Sequence, residues 1–210
     1  MSDNSVPAPT TFHPSDANRY RLSFTAGGLL PAEMAELAGA FGRLGDWDQV
    51  YDGVRAGALL GYGVAKTAAR IGSELISRLQ DLSEAQLTFL ASCLPEERRT
   101  MSWIAVCRHY SFLGEFAVEV VRDRFLAGVP TVTKIDYSSF FDRKAAMHSE
   151  LSSVSDSTRE KLRQVSFRMM VDAGILDRTG RILPISVPAP LFSLLDRGDI
   201  LHLPLYVREA

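Results

Sequence analysis

The sequence predicts a mainly α protein: an N-terminal helical bundle over residues 19–152, followed by a small C-terminal winged-helix-like unit with short strands over 153–210. Three observations predict it. Apolar residues recur at helical spacing through most of the chain. A polar run, SSVSDS at 152–157, punctuates the sequence as loops between packed units do. Beyond it, an amphipathic basic helix leads into the turn signal DRTG and the short β-branched run RILPISV, the order of helix, turn and strand in a winged helix.

The first 18 residues, rich in Pro, Ser and Thr, are expected to be a disordered leader; they have no basic start, apolar core or cleavage site of a secretory signal. Pro31 suits the first turn of a helix carrying Ala35, Leu37, Ala38, Phe41 and Leu44. Asp46 is placed to cap a second helix through Val50, Tyr51 and Val54. Ala68, Ile71, Leu75, Leu79 and Leu82 form the apolar stripe of a third, with Arg70, Glu74 and Arg78 four apart. Ser83 with Gln86 makes a capping box for a fourth, and Pro95 forbids its continuation.

From Met101 to Leu126 the chain is apolar over most of its circumference, which predicts one central bundle helix. Gly128 and Pro130 end it. Thr133 can cap the next helix, with Tyr137, Phe140 and Phe141. Ser157 and Glu160 offer a second capping box, opening a helix that Gly174 closes.

Composition narrows the function classes. The chain has 210 residues, 46% hydrophobic and 23% charged, which is ordinary globular composition. Its two cysteines, Cys93 and Cys107, lie in apolar stretches, so a reducing compartment, the cytoplasm, is expected. The longest uncharged stretch, 182–195, is short for a bilayer span and holds three prolines, so no membrane insertion is expected. The net charge of −2 conceals an asymmetry: 5 Lys/Arg against 10 Asp/Glu over 32–97, 8 against 5 over 98–144, and 6 against 4 over 151–185. The later half therefore suits an anionic partner.

No P-loop, dinucleotide fingerprint, HExxH, GxSxG or paired CxxC occurs, so no enzyme and no cofactor is expected. His13, His109, His148 and His202 are scattered, and Cys107 and His109, two apart on a helix, point in different directions, which disfavours a metal site. Gly61 to Gly63, GYG, lacks a preceding strand and a following lysine. Phe140 and Phe141 at helical spacing read as core before they read as a base-stacking pair.

One constellation stands out. With about 100° per residue, Leu162, Val165, Met169 and Ala173 share one stripe of the 157–174 helix, while Lys161, Arg163, Gln164 and Arg168 lie on the other side with Arg159 between. Arg178 and Arg181 follow around the turn. Such a helix can present Arg and Gln to base edges while turn arginines touch phosphates, which makes Arg159, Lys161, Arg163, Gln164, Arg168, Arg178 and Arg181 the candidate DNA-binding set. A solvated face, diluted by Glu160, Asp172 and Asp177, is the plain alternative.

The segments RYRLSFTAGGLL, Trp47, RIGSELISRL, CRHYSFLGEFAVEVVRD, IDYSSFFDRKA and STREKLRQVSFRMMVDAGIL, in this order from about Arg19 to Ile185, resemble the BrxA family of bacterial BREX phage-defence systems. The resemblance implies a small non-enzymatic component of a defence island that methylates self DNA and blocks phage replication. It further implies a fold similar to helical antitermination factors, association with double-stranded DNA, and action beside the other BREX components, among them a methyltransferase and an ATPase. A protein-interaction scaffold that docks those components without touching DNA is the alternative. An inner-membrane label attached to the family conflicts with the missing span.

Overall fold

A computed structural model of the chain describes residues 19–206. The leader expected over 1–18 lies outside the described residues. A 3-10 turn at Ser23–Ala26 precedes α1 (Pro31–Leu44), α2 (Trp47–Arg55), α3 (Ala65–Leu79), α4 (Glu84–Ser92) and α5 (Pro95–His109). The helix starts follow local chemistry. Pro31 and Pro95 open α1 and α5, Asp46 accepts from the amides of Asp48 (2.7 Å) and Gln49 (3.3 Å), and Ser83 and Gln86 close the expected capping box.

The expected single helix over 101–126 is two. After α5 the chain turns at Tyr110 (φ −116°, ψ 89°) and returns as α6 (Ser111–Phe116), a wide π turn (Ala117–Arg122) and α7 (Asp123–Leu126). Gly114 permits the return, since a Cβ there would lie 2.9 Å from the Cys107 carbonyl. Both arms are buried, so apolar periodicity continues across the break. The π turn brings Arg122 to donate to the carbonyl oxygens of Leu203 (3.1 Å) and Leu205 (3.4 Å), which straps down the C-terminal segment.

Then come α8 (Lys134–Ala145), α9 (Ser149–Ser152), α10 (Asp156–Asp172), α11 (Ala189–Phe192) and α12 (Arg197–Leu201). Thr133 caps α8, as expected, and Asp136 completes a capping box with it. The expected box of Ser157 and Glu160 does not form, because Ser155 caps α10 two residues earlier and accepts from the Thr158 amide at 3.2 Å. At the far end Gly174 (φ +75°) takes the left-handed position, with Gly174 N–H bonded to Val171 O and Ile175 N–H to Met170 O.

The strands expected in the C-terminal unit are reduced to two isolated antiparallel bridges, Leu176 with Ile182 and Thr131 with Arg181. Around them the 175–183 segment folds into a tight turn. Asp177 Oδ1 accepts from Thr179 N (2.8 Å) and Arg181 N (3.0 Å), and Gly180 (φ +87°) lies so close to Val132 that a Cβ would meet its carbonyl at 2.5 Å. Pro184 has no N–H to extend the ladder, and Ile185 N bonds instead to Pro204 O.

Two hydrophobic cores result. One gathers α1–α4 with Met101, Ala105 and Leu191; the other gathers Tyr20, Phe24 and Leu29 with α6–α8, α10 and Leu203 and Leu205. Helix α5 serves both, since Trp103, Ile104, Val106 and Cys107 face the second core. Arg78, with no exposed surface, lies at their meeting. Its Nη1 donates to Gly28 O at 2.9 Å, its Nη2 lies 3.5 Å from Glu74, and its guanidinium sits over the Tyr110 ring. Burial lowers its pKa against the pull of Glu74.

Arg108 fastens α12 to α5 through a bidentate pair with buried Asp199, 2.8 and 2.7 Å, while Trp103 Nε1 donates to His202 O at 3.1 Å. Among the described residues no helix is long and apolar enough to cross a membrane.

Two outcomes follow from this packing. Arg78→Ala strands Glu74 and opens the junction of the cores, so it should cost about 3–5 kcal/mol, read as a lower urea midpoint; an unshifted midpoint contradicts the assignment. Burial also holds the His202 imidazole below its usual 6.5, against the opposing pull of Asp199 and Asp196. The unfolded chain therefore takes up this proton first: stability from this group is complete above about pH 6.5 and declines as pH falls toward the folded value. His202→Gln should flatten that part of the stability curve just below pH 6.5. Identical curves for the variant and the native protein would refute it.

Candidate nucleic-acid interface

Helix α10 rests on the second core through Leu162, Val165, Met169 and Ala173, the stripe expected from the sequence, and Leu162 and Met169 have no exposed surface. Its outer side meets two other elements. The N-terminal end of α8 and the 177–180 turn lie beside it, held to each other by Val132 N bonding Gly180 O at 2.8 Å and Ile182 N bonding Pro130 O at 2.8 Å. Between the three lies an open cleft of about 630 Å³.

Lys134, Arg163, Gln164 and Arg178 line this cleft with Glu160, Phe167 and Thr179. Three cations face one carboxylate. Glu160 accepts from Arg163 through both oxygens (Nε at 2.9 Å, and a short contact from Nη2) and from Gln164 Nε2 at 2.8 Å. These bonds, with the positive field of Arg163 and Lys134, hold its carboxyl down to about 2, so it stays ionised. Lys134 and Arg178 form no ion pair among the described residues, whereas Arg124, Arg143, Lys144 and Arg159 each have an acidic partner.

Of the seven residues singled out in the sequence, the cleft gathers Arg163, Gln164 and Arg178. Arg159 is turned inward onto α8: it pairs with Asp142 at 2.8 Å, donates to Ser138 O at 3.3 Å and lies 4.6 Å from the Phe141 ring centroid. Lys161 is exposed outside the cleft, as is Arg181. Arg168 faces the Gly28 segment on another side of α10, 74% exposed and 4.0 Å from Asp172. Lys134 and Glu160 were not among the seven. The Thr133 cap signalled the start of α8 but nothing local placed that start beside α10.

The other candidates fall into the structure differently. Phe140 and Phe141 are core, Cys107 is buried with its thiol pKa pushed up by desolvation, and His109 meets Asp81 at 2.6 Å. Tyr62 of the GYG segment donates to Glu33 at 3.1 Å. No cluster of three or more His, Cys, Asp or Glu side chains able to hold a metal occurs among the described residues.

The family model for BrxA matches residues 18–199. The chain belongs to the BrxA family. It is 26% identical over 106 residues to a protein of Bacillus cereus (strain H3081.97) named BREX protein BrxA, covering 50% of this chain and 53% of that one. A protein of the same name from Escherichia coli O9:H4 (strain HS) is 25% identical over 115 residues, 55% of this chain and 54% of its own. The chain thus spans about half the length of the curated BrxA relatives it matches. The fold is shared with the crystal structure of an uncharacterized protein from Magnetospirillum magneticum, at a TM-score of 0.75 and 20% identity, over 89% of this chain and 99% of that one.

The two kinds of basic residue on α10 should separate in experiment. Arg159→Ala loses an ion pair and a cation–π contact and should cost about 1–2 kcal/mol of stability, whereas Lys161→Ala, exposed outside the cleft, should change the urea midpoint by less than about 0.5 kcal/mol. Equal midpoints for the two variants would show that Arg159 does not clamp α8 to α10.

Proposed function

We propose that this protein is a non-enzymatic, double-stranded-DNA-binding component of a BREX phage-defence system, working beside the other BREX components. One observation carries the reading: the start of α8, the outer side of α10 and the 177–180 turn converge on one cleft that holds Lys134, Arg163 and Arg178. The order α6–α7, bridge residue Thr131, α8, α9, α10, tight turn and bridge residue Ile182 supports comparison with winged-helix proteins, in which the last helix enters the groove and the turn lies along the backbone. In this arrangement Lys134, Arg163 and Arg178 supply phosphate contacts, which position the protein on the duplex. Family membership supports the defence assignment.

A scaffold role has its own support in the acidic α1–α4 bundle, where Asp46, Asp48 and Asp52 are exposed at one end. The two readings diverge in solution. Duplex titration at several salt concentrations should give an affinity that falls by roughly 0.9 log unit per log unit of salt for each phosphate contact, so the three cleft cations predict a slope of about −3. Arg163→Ala with Arg178→Ala should flatten it by about two units while the protein still melts cooperatively. No duplex binding at low salt, with nuclease-resistant co-purification of other BREX components, would leave the scaffold.

A further inference from the structure

Glu160 is the only acidic lining residue of the cleft, and it occupies the best-equipped position there. Its two oxygens take the parallel N–H pair of Arg163 and the amide of Gln164, the geometry in which a guanidinium also binds two oxygens of a phosphate. Half of its side chain is exposed, so it can swing out without crossing packed atoms, whereas the Arg163 side chain is only 13% exposed and fixed in the wall. Lys134 and Arg178 flank the position with no acid of their own among the described residues. A cleft with more cations than this one carboxylate neutralises, open on one side and closed by a turn, fits an anion with several oxygens.

We infer that the cleft seats a phosphate of the DNA backbone on Arg163 and Gln164, and that Glu160 holds that seat in the free protein. This deepens the DNA-binding reading and rests on it. In the free state Glu160 satisfies Arg163 and keeps its fork oriented; on binding, the phosphate takes the Nε and Nη2 donors and Glu160 turns to solvent. Each binding event therefore includes the loss of one internal ion pair, and affinity is set below what the cations alone would give. The exchange favours phosphates held in place by a duplex over weakly bound free anions.

Glu160→Gln keeps the shape and removes the charge. It should tighten duplex binding about tenfold at low salt and steepen the salt slope. The gain should be several-fold smaller in an Arg163→Ala background, since without Arg163 the carboxylate competes only for the amide of Gln164. A merely general effect of deleting a negative charge would give the same gain in both backgrounds and overturns the proposal, as does an unchanged or weaker Glu160→Gln. Titration with inorganic phosphate alone is the second arm: a variant that gains affinity for the free ion and none for duplex overturns the backbone assignment. If the native protein fails to bind duplex at the lowest salt, the DNA reading falls and this one with it; if it binds and Glu160→Gln is not tighter, only the seat falls.

Discussion

A guanidinium with no exposed surface, that of Arg78, sits where the two hydrophobic cores touch. Taking it out of water is costly, and a hydrogen bond to the Gly28 carbonyl, the Glu74 carboxylate at 3.5 Å and the ring of Tyr110 offset part of that cost, while Nε and Nη2 have no hydrogen bond among the described residues. Those three partners belong to the segment before α1, to α3 and to the hinge between α5 and α6. The charge is stabilised only when all three are assembled, which couples the first core to the second. The same hinge sets the return path of α6 and α7, and that path delivers Pro130, Val132 and Thr133 to the tight turn beyond α10. The cleft is thus a distant consequence of the packing at Tyr110.

The electrostatics of the second half become specific only in three dimensions. Most of its basic residues are spent on structure: Arg124 on Asp136, Lys144 on Glu115 and Glu119, Arg159 on Asp142, Arg122 on the C-terminal carbonyls. The cleft keeps Lys134 and Arg178 without an acid of their own and holds Arg163 by a carboxylate that is half in solvent. A positive field concentrated by cleft walls attracts a polyanion more strongly than the same charges spread over a surface. Of the three cleft cations, Arg163 and Arg178 belong to residues 151–185, where 6 Lys/Arg stand against 4 Asp/Glu, and Lys134 comes from outside that stretch.

Much of this was legible in the sequence wherever a signal is local. Pro31, Asp46, Ser83 with Gln86, Thr133 and Gly174 each mark a helix end by chemistry confined to a few residues, and each mark corresponds to an observed end. The stripe of Leu162, Val165 and Met169 gave the buried side of α10 and, by exclusion, its basic side. Failures arise where the deciding contact is distant or degenerate. Apolar periodicity continues across Tyr110, so one helix and two stacked helices look alike. Two serines compete to cap α10, and Ser155 wins, which leaves Glu160 free for Arg163. The β-branched run at 181–187 has strand composition, but Pro184 and the one-residue partners Thr131 and Leu176 allow only bridges. The commitment of Arg159 to Asp142, and the presence of Lys134 beside Arg163, depend on how α8 packs on α10.

On the proposed function a duplex contacts the cleft formed by α8, α10 and the turn. Amide chemical shifts recorded by NMR, with a short duplex added at low salt, should then move at Thr133 and Lys134, along the outer side of α10 from Glu160 to Phe167, and at Arg178 to Gly180, with the side-chain amide of Gln164 among them. Shifts confined to α1–α4, with the cleft amides unmoved, would contradict it.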